Sequence, residues 1–288
     1  MTSRWPNSAK AAISFTMDNL GEAQDMYRKQ WPHPIGTHPS IGTQLPRMLS
    51  LLKKHGIRAT YFVESWSLGV YPSAIAAITA KQNKHDNNKS EKNKSENKGH
   101  EIAWHGYQHE AWTHLSPAEE LDNFAKSFRA ARDSGITYEG FRPPGGEVNE
   151  RTWALLREHG VRYVSPAAGD SGVVGVGVGG EHEGIVVLPF EWRAVDAFYY
   201  MEKHGGGIVR EPREFREYVM GRIDEVKKSG GFLSILAHPF LQTSEERFQV
   251  VEDILRRLAE DEEVWCAPCN QVASWVLEHR DRFESNMS

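Results

Sequence analysis

Cysteine is almost missing from this chain of 288 residues: Cys266 and Cys269 are its only two. A disulfide framework is therefore excluded. The pair forms one C-x-x-C without a thioredoxin-like βαβ context, so it reads as incidental to redox chemistry. Long apolar runs are missing too, and none approaches the roughly 18 to 20 residues that span a bilayer. The start, Met1-Thr-Ser-Arg-Trp-Pro-Asn7, leads straight into a strand-like run without the apolar core of a signal peptide. Excess charge of one sign is small. A net charge of −5 gives no general attraction to nucleic acid or an anionic membrane. These absences lead us to expect a soluble, cytoplasmic protein with a small-molecule or oligosaccharide substrate, and no nucleic acid or membrane partner. The sequence leaves the oligomeric state open, and a homo-oligomer is compatible with it.

One stretch lacks aliphatic and aromatic side chains altogether. Residues 81–98 hold six Lys, five Asn and three acidic residues. Such a segment has nothing to bury and is expected to be a solvated, low-complexity surface insertion. Elsewhere hydrophobic residues make up 39% of the chain, enough for a sizeable core. The length suits one α/β barrel, and no composition shift divides two domains, so residues 1–288 are expected to form a single domain.

Strand-like and helix-like runs alternate. Ala11–Met17, Ala59–Val63, Gly99–Trp104, Tyr138–Phe141, Val161–Val164, Ile185–Leu188, Phe232–Ala237 and Val264–Ala267 read as strands. Leu45, Met48, Leu49 and Leu52 share one helical face, and Gly56 ends that helix. Ser116-Pro117-Ala-Glu119 is a capping box with proline at the first helical position. Asn149 is placed to cap the next helix. The glycine-rich segment 169–184 lacks the Lys-Ser/Thr of a phosphate loop and is expected to be a flexible connection. About seven strand–helix repeats without a large break argue for a parallel α/β barrel.

Chemistry gathers where strands end. Asp18, His105, Arg142 and His238 each follow directly after a strand, and in an α/β barrel those ends share one catalytic face. His105 and His109 lie four apart around Gly106. Two neutral imidazoles on one turn can share a metal ion, although the pattern is not His-Glu-x-x-His. A metal there would acidify a water and polarise a carbonyl. Asp18 can take the water's proton, Arg142 can hold Asp18 ionised, and His238 can protonate a leaving amine.

Phe15-Thr-Met-Asp18-Asn19, His105-Gly-Tyr-Gln-His109, Phe141-Arg142-Pro-Pro144-Gly145 and Leu236-Ala-His238 resemble, in order and spacing, the motifs of the polysaccharide deacetylases. This is the NodB-homology superfamily, carbohydrate esterase family four. The likeness is strongest to its intracellular branch of peptidoglycan-deacetylase-like and allantoinase-like proteins. The resemblance implies a distorted (β/α)7 barrel and a zinc-dependent (or other divalent metal) hydrolase of carbon–nitrogen amide bonds in carbohydrate metabolism. N-deacetylation of a chitin- or peptidoglycan-type sugar is the leading expectation, and hydrolysis of small cyclic amides or ureides is the alternative. It implies Asp18 as base, His105 and His109 as metal ligands, Arg142 as the residue that positions the base, and His238 as acid. Trp104, Pro144, Gly145, Trp192 and Asp196 are expected to meet substrate.

One position departs from the pattern. The family usually carries a second, metal-binding aspartate, and here that position is Asn19. Either Asn19 coordinates, Asp18 itself does, or a loop acid such as Glu22 or Asp25 substitutes. If none does, the protein is a non-catalytic barrel.

Overall fold

The computed structural model describes residues 3–81, 99–168, 174–176 and 183–283. Eight strands follow the order of the sequence-based expectation: β1 (Ala11–Asp18), β2 (Thr60–Val63), β3 (Glu101–Trp104), β4 (Gly140–Phe141), β5 (Tyr163–Val164), β7 (Val186–Val187), β8 (Phe232–Leu236) and β9 (Val264–Cys266). A further short strand, β6 (Gly175–Val176), pairs antiparallel with β7. It falls inside the glycine-rich segment, where alternation of Gly and Val gives no strand signal. Residues 82–98, 169–173 and 177–182 lie outside the described residues.

The sheet runs β6-β7-β5-β4-β3-β2-β1-β8. Every pairing from β7 through β5, β4, β3, β2 and β1 to β8 is parallel, as βαβ crossovers require. The lower half of β1 pairs with β9 and its upper half with β2. A single parallel bridge, Val195 to Leu236, links the chain after β7 to the top of β8 and curls the sheet towards closure. The result is a curled, distorted barrel with helices around it.

Side-chain alternation sorts the strands into two layers. Ile13, Phe15 and Met17 of β1, Tyr61 and Val63 of β2, and Ile102 and Trp104 of β3 pack in the core beneath the helices. The opposite register turns inward: Ser14, Thr16 and Asp18 from β1, Phe62 from β2, Ala103 from β3, Tyr163 from β5 and Ser234 from β8, all buried. The helices follow the expected signals. Pro117–Asp133 carries the full capping box, Ser116 Oγ accepting from Glu119 N while the Glu119 carboxylate accepts from Ser116 N. Asn149 stands at the start of Glu150–Glu158 but makes no side-chain cap. It turns its amide away and donates to the Trp112 carbonyl at 3.1 Å and to Glu120 at 3.3 Å, a buried demand stronger than an exposed helix end. Cys266 and Cys269 are both free, and burial pushes each thiol up to about 12, which leaves them unreactive.

Candidate active site

The inward register delivers polar groups to the C-terminal mouth of the barrel. Asp18 ends β1, His105 follows β3, Arg142 follows β4 and His238 stands two residues beyond β8; all four are buried. Together with Asn19, His109, Pro144, Gly145 and Trp192 they line a cavity of about 260 Å³.

Arg142 is the hub. Its Nη1 donates to Asp18 Oδ1 at 2.8 Å and to Thr16 Oγ1 at 3.0 Å, and its Nη2 donates to Ser165 Oγ and Ser234 Oγ, both at 2.9 Å. The guanidinium lies over the Phe62 ring, 4.0 Å from its centre. A planar fork satisfied on every edge cannot rotate, so Asp18 is held in one position with an opposite charge beside it.

His105 is oriented by the same segment. Its Nδ1 lies 2.7 Å from the Arg142 carbonyl oxygen. A carbonyl only accepts, so Nδ1 carries the proton and Nε2 keeps its lone pair. That Nε2 lies 3.8 Å from Asp18 Oδ2. Burial above all, and the charges of Arg142 and His238, lower His105 to about 3, despite the opposing bond to the carbonyl. It is a neutral imidazole at any physiological pH.

His109 faces it, ring centroids 4.8 Å apart. Its backbone is left-handed (φ 64°), uncommon for a non-glycine residue and allowed here by the turn that Gly106 (φ 76°) begins. The Glu110 carboxylate ties this turn by accepting from Tyr107 N and Gln108 N, each at 3.0 Å. Burial also holds His109 neutral, well below the usual imidazole range. Gln24 Nε2 sits 2.8 Å from His109 Nδ1. A cation at the Nε2 side requires that amide to turn its oxygen to the ring.

Across the cavity, His238 Nδ1 lies 2.6 Å from Asp196 Oδ1, and Asp196 Oδ2 accepts from His238 N and from Gln242 Nε2, both at 2.7 Å. Burial alone would depress His238. The Asp196 charge and hydrogen bond overcome it, and the pKa ends above the ordinary imidazole value.

Two expected substrate contacts are corrected by this geometry. Trp104 is fully buried in the outward register, packed against Trp112, Phe124 and Phe141 with centroids 5.3, 4.6 and 4.4 Å away. Strand alternation turns it to the helices, away from the cavity. Asp196 is also fully buried and is consumed by His238 and Gln242, so it orients the histidine and does not reach substrate. The loop acid Glu22 is buried against Gly36 N and the Tyr71 hydroxyl. Neither it nor Asp25 forms part of the cavity wall.

Glu64 was missed. It follows β2 directly, in register with Thr60 and Phe62, and is fully buried. Its carboxylate and the ring nitrogens of His105 and His109 lie within 4.8 Å of one another. The strand-end rule that picked Asp18 and His105 applies to it equally.

Comparison with known proteins fits this layout. The family model for polysaccharide deacetylase matches residues 36–164, which carry β2 to β5 with His105, His109 and Arg142. A peptidoglycan deacetylase of Helicobacter pylori is 28% identical over 120 residues, covering 41% of this chain and 35% of its own length. A peptidoglycan deacetylase-like protein of Gibberella zeae is 29% identical over 126 residues, 43% of this chain and 32% of that one. The chain thus spans about a third of the length of the curated relatives it matches. A solved structure from Mycobacterium smegmatis, provisionally assigned as a polysaccharide deacetylase, superposes with a TM-score of 0.80 at 23% identity, over 99% of this chain and 96% of that one. The Puue allantoinase superposes with a TM-score of 0.72 at 17% identity, over 96% and 93%. The superpositions define the fold class, a curled α/β barrel shared with structures assigned as polysaccharide deacetylases. Within that class the chain shares its fold with both deacetylase-assigned and allantoinase structures.

Proposed function

We propose that the protein is a divalent-metal-dependent hydrolase of carbon–nitrogen amide bonds, acting as an N-deacetylase of an acetylated sugar. The observation that carries this reading is the convergence on one cavity of an arginine-held carboxylate, two neutral imidazoles and a carboxylate-backed histidine. The donor set suits a zinc-type ion. His105 presents Nε2 with its tautomer already fixed, His109 does so once Gln24 turns, and Asn19 adds an oxygen from the cavity wall. Bound there, such an ion would supply an acidified water and polarise the amide carbonyl.

The remaining work falls to the chain. Asp18, ionised beside Arg142, accepts the proton of the attacking water. Arg142 keeps that carboxylate from swinging to a competing partner. His238, whose pKa the Asp196 charge raises, donates to the departing amine. Trp192 and His204, stacked at 5.3 Å and 13°, offer a flat apolar face at the cavity wall on which a pyranose ring can pack. One domain carries all of this.

The cavity supports a second reading. About 260 Å³ is small for a polymer cleft, and the cationic Arg28 and Lys203 stand in its wall without an ion-pair partner among the described residues. A small cyclic amide or ureide bearing negative charge suits that lining. Assaying acetate release from chitooligosaccharides against ring opening of cyclic imides and ureides, with added zinc, cobalt or manganese, separates the two. Turnover of neither class with any of the metals overturns the hydrolase reading. Among the described residues no helix is long and apolar enough to cross a membrane.

A further inference from the structure

Glu64 poses a question of charge. It is fully buried, and its carboxylate accepts only amide protons: Asn19 Nδ2 at 2.8 Å and Leu20 N at 3.0 Å. Among the described residues no lysine or arginine pairs with it. The one buried arginine in the site, Arg142, is committed to Asp18. A buried carboxylate without a counter-charge is strongly disfavoured unless a cation sits nearby. The neutral ring nitrogens of His105 and His109 mark where one fits, within 4.8 Å.

Asn19 stands between Glu64 and the cavity. It forms part of the cavity wall and Glu64 does not. Asn19 donates its NH2 to Glu64 Oε1 at 2.8 Å, which leaves the amide's carbonyl oxygen for the cavity. Its backbone is fixed for this task. Asn19 is left-handed (φ 63°), a conformation asparagine tolerates, and its own carbonyl oxygen accepts from the Tyr61 hydroxyl at 2.8 Å.

We propose that Asn19 and Glu64 act as one unit in the cation site: Asn19 Oδ1 is the oxygen ligand beside His105 and His109, and Glu64 is a positioning residue that orients the amide and supplies the negative charge from behind it. The proposal rests on the reading that a divalent cation binds at the histidine pair. It explains why a neutral amide can stand where a carboxylate ligand is expected. The charge has moved one residue deeper, from position 19 to position 64.

Zinc calorimetry on the whole chain tests it, with circular dichroism to establish folding. Glu64→Gln keeps the shape and removes the charge, and is expected to weaken zinc binding about 10–100-fold. Asn19→Ala leaves Glu64 in place and is expected to weaken it to a similar degree. The double variant N19D/E64Q returns a carboxylate to position 19 and is expected to bind within about threefold of wild type, the rescue that a conserved charge count requires. Full zinc affinity in N19A would mean that Glu64 binds the ion directly and would overturn the relay. Unchanged affinity in E64Q, or no recovery in N19D/E64Q, also overturns it. If E64Q does not fold, N19A and N19D/E64Q decide. Equal zinc uptake by wild type and His105→Ala instead removes the underlying cation site, a failure distinct from the others.

Discussion

The backbone carbonyl of Arg142 receives the Nδ1 proton of His105 at 2.7 Å, while the side chain of the same Arg142 grips Asp18 at 2.8 Å. One residue at the end of β4 therefore fixes the tautomer of a candidate ligand and the position of the candidate base. Its guanidinium is buried with five hydrogen bonds and two aromatic faces around it. Arg142→Lys removes the fork and leaves Asp18 buried with a poorer partner. The expected loss is about 3–5 kcal/mol of stability, the cost of breaking a buried pair, together with most of the activity. Chemical denaturation checks it, and a loss below about 1 kcal/mol would show the site to be softer than its geometry implies.

Asp18→Asn separates base from ligand. As the base alone, its loss lowers turnover about 10²–10⁴-fold and leaves zinc uptake intact. Retained turnover contradicts the role as base, and lost zinc makes Asp18 a ligand.

Asp196 sets the pH range through His238. The histidine's raised pKa depends on the Asp196 charge. Activity that needs the protonated ring falls as pH rises through that value. Asp196→Asn lowers the His238 pKa and moves the alkaline limb of the kcat/KM profile to lower pH. A profile that only drops in height, with the limb unmoved, rejects the assignment.

At the other end of the barrel, His100 accepts a hydrogen bond from Ala59 N at 3.1 Å on its Nδ1. Burial, and then the Arg58 charge, lower it to about 4 from the ordinary 6.5. The unfolded chain therefore binds the proton more readily than the folded one. This contribution to stability is complete above pH 6.5 and is lost as pH falls towards 4. His100→Asn keeps an acceptor for Ala59 and cannot be protonated. Its Tm is expected to fall less steeply than that of wild type between pH 6.5 and 4. The neutral His105 and His109 still contribute to the residual slope, and identical slopes would contradict the assignment.

The described residues on either side of 82–98 lie against each other. His100 N donates to Ile78 O at 3.0 Å, and Gly99 lies so close to Thr79 that a Cβ there would meet its carbonyl oxygen at 2.2 Å. Replacing 82–98 with a short Gly-Ser link should leave Tm within a few degrees, because the neck is closed without it. A large drop would mean that the segment packs on the barrel.

Much of this was legible in the sequence because strands are short and polar groups follow them. Asp18, His105 and Arg142 stand out as the first charged or titratable residues after apolar runs, and the barrel gathers those positions on one face. What failed was parity. Counting alternate residues from the inward Thr60 places Glu64 inside, and counting from His105 places Trp104 outside. Trp104 is next to a ligand in sequence yet points to the other face, and Glu64 belongs to no motif that marks it. Asp196 was misplaced because only the fold brings the chain after β7 against β8, at the Val195–Leu236 bridge. No local signal records that contact. β6 escaped because Gly–Val alternation carries no preference strong enough to mark a strand.

His105 and His109 are proposed to hold a divalent cation against Asn19, beside the Asp18–Arg142 pair. Zinc titration calorimetry on metal-free wild type and His105→Ala tests it most directly. One zinc per wild-type chain, and an affinity at least about 100-fold weaker in the variant, is the predicted result. Equal uptake by both proteins would contradict it.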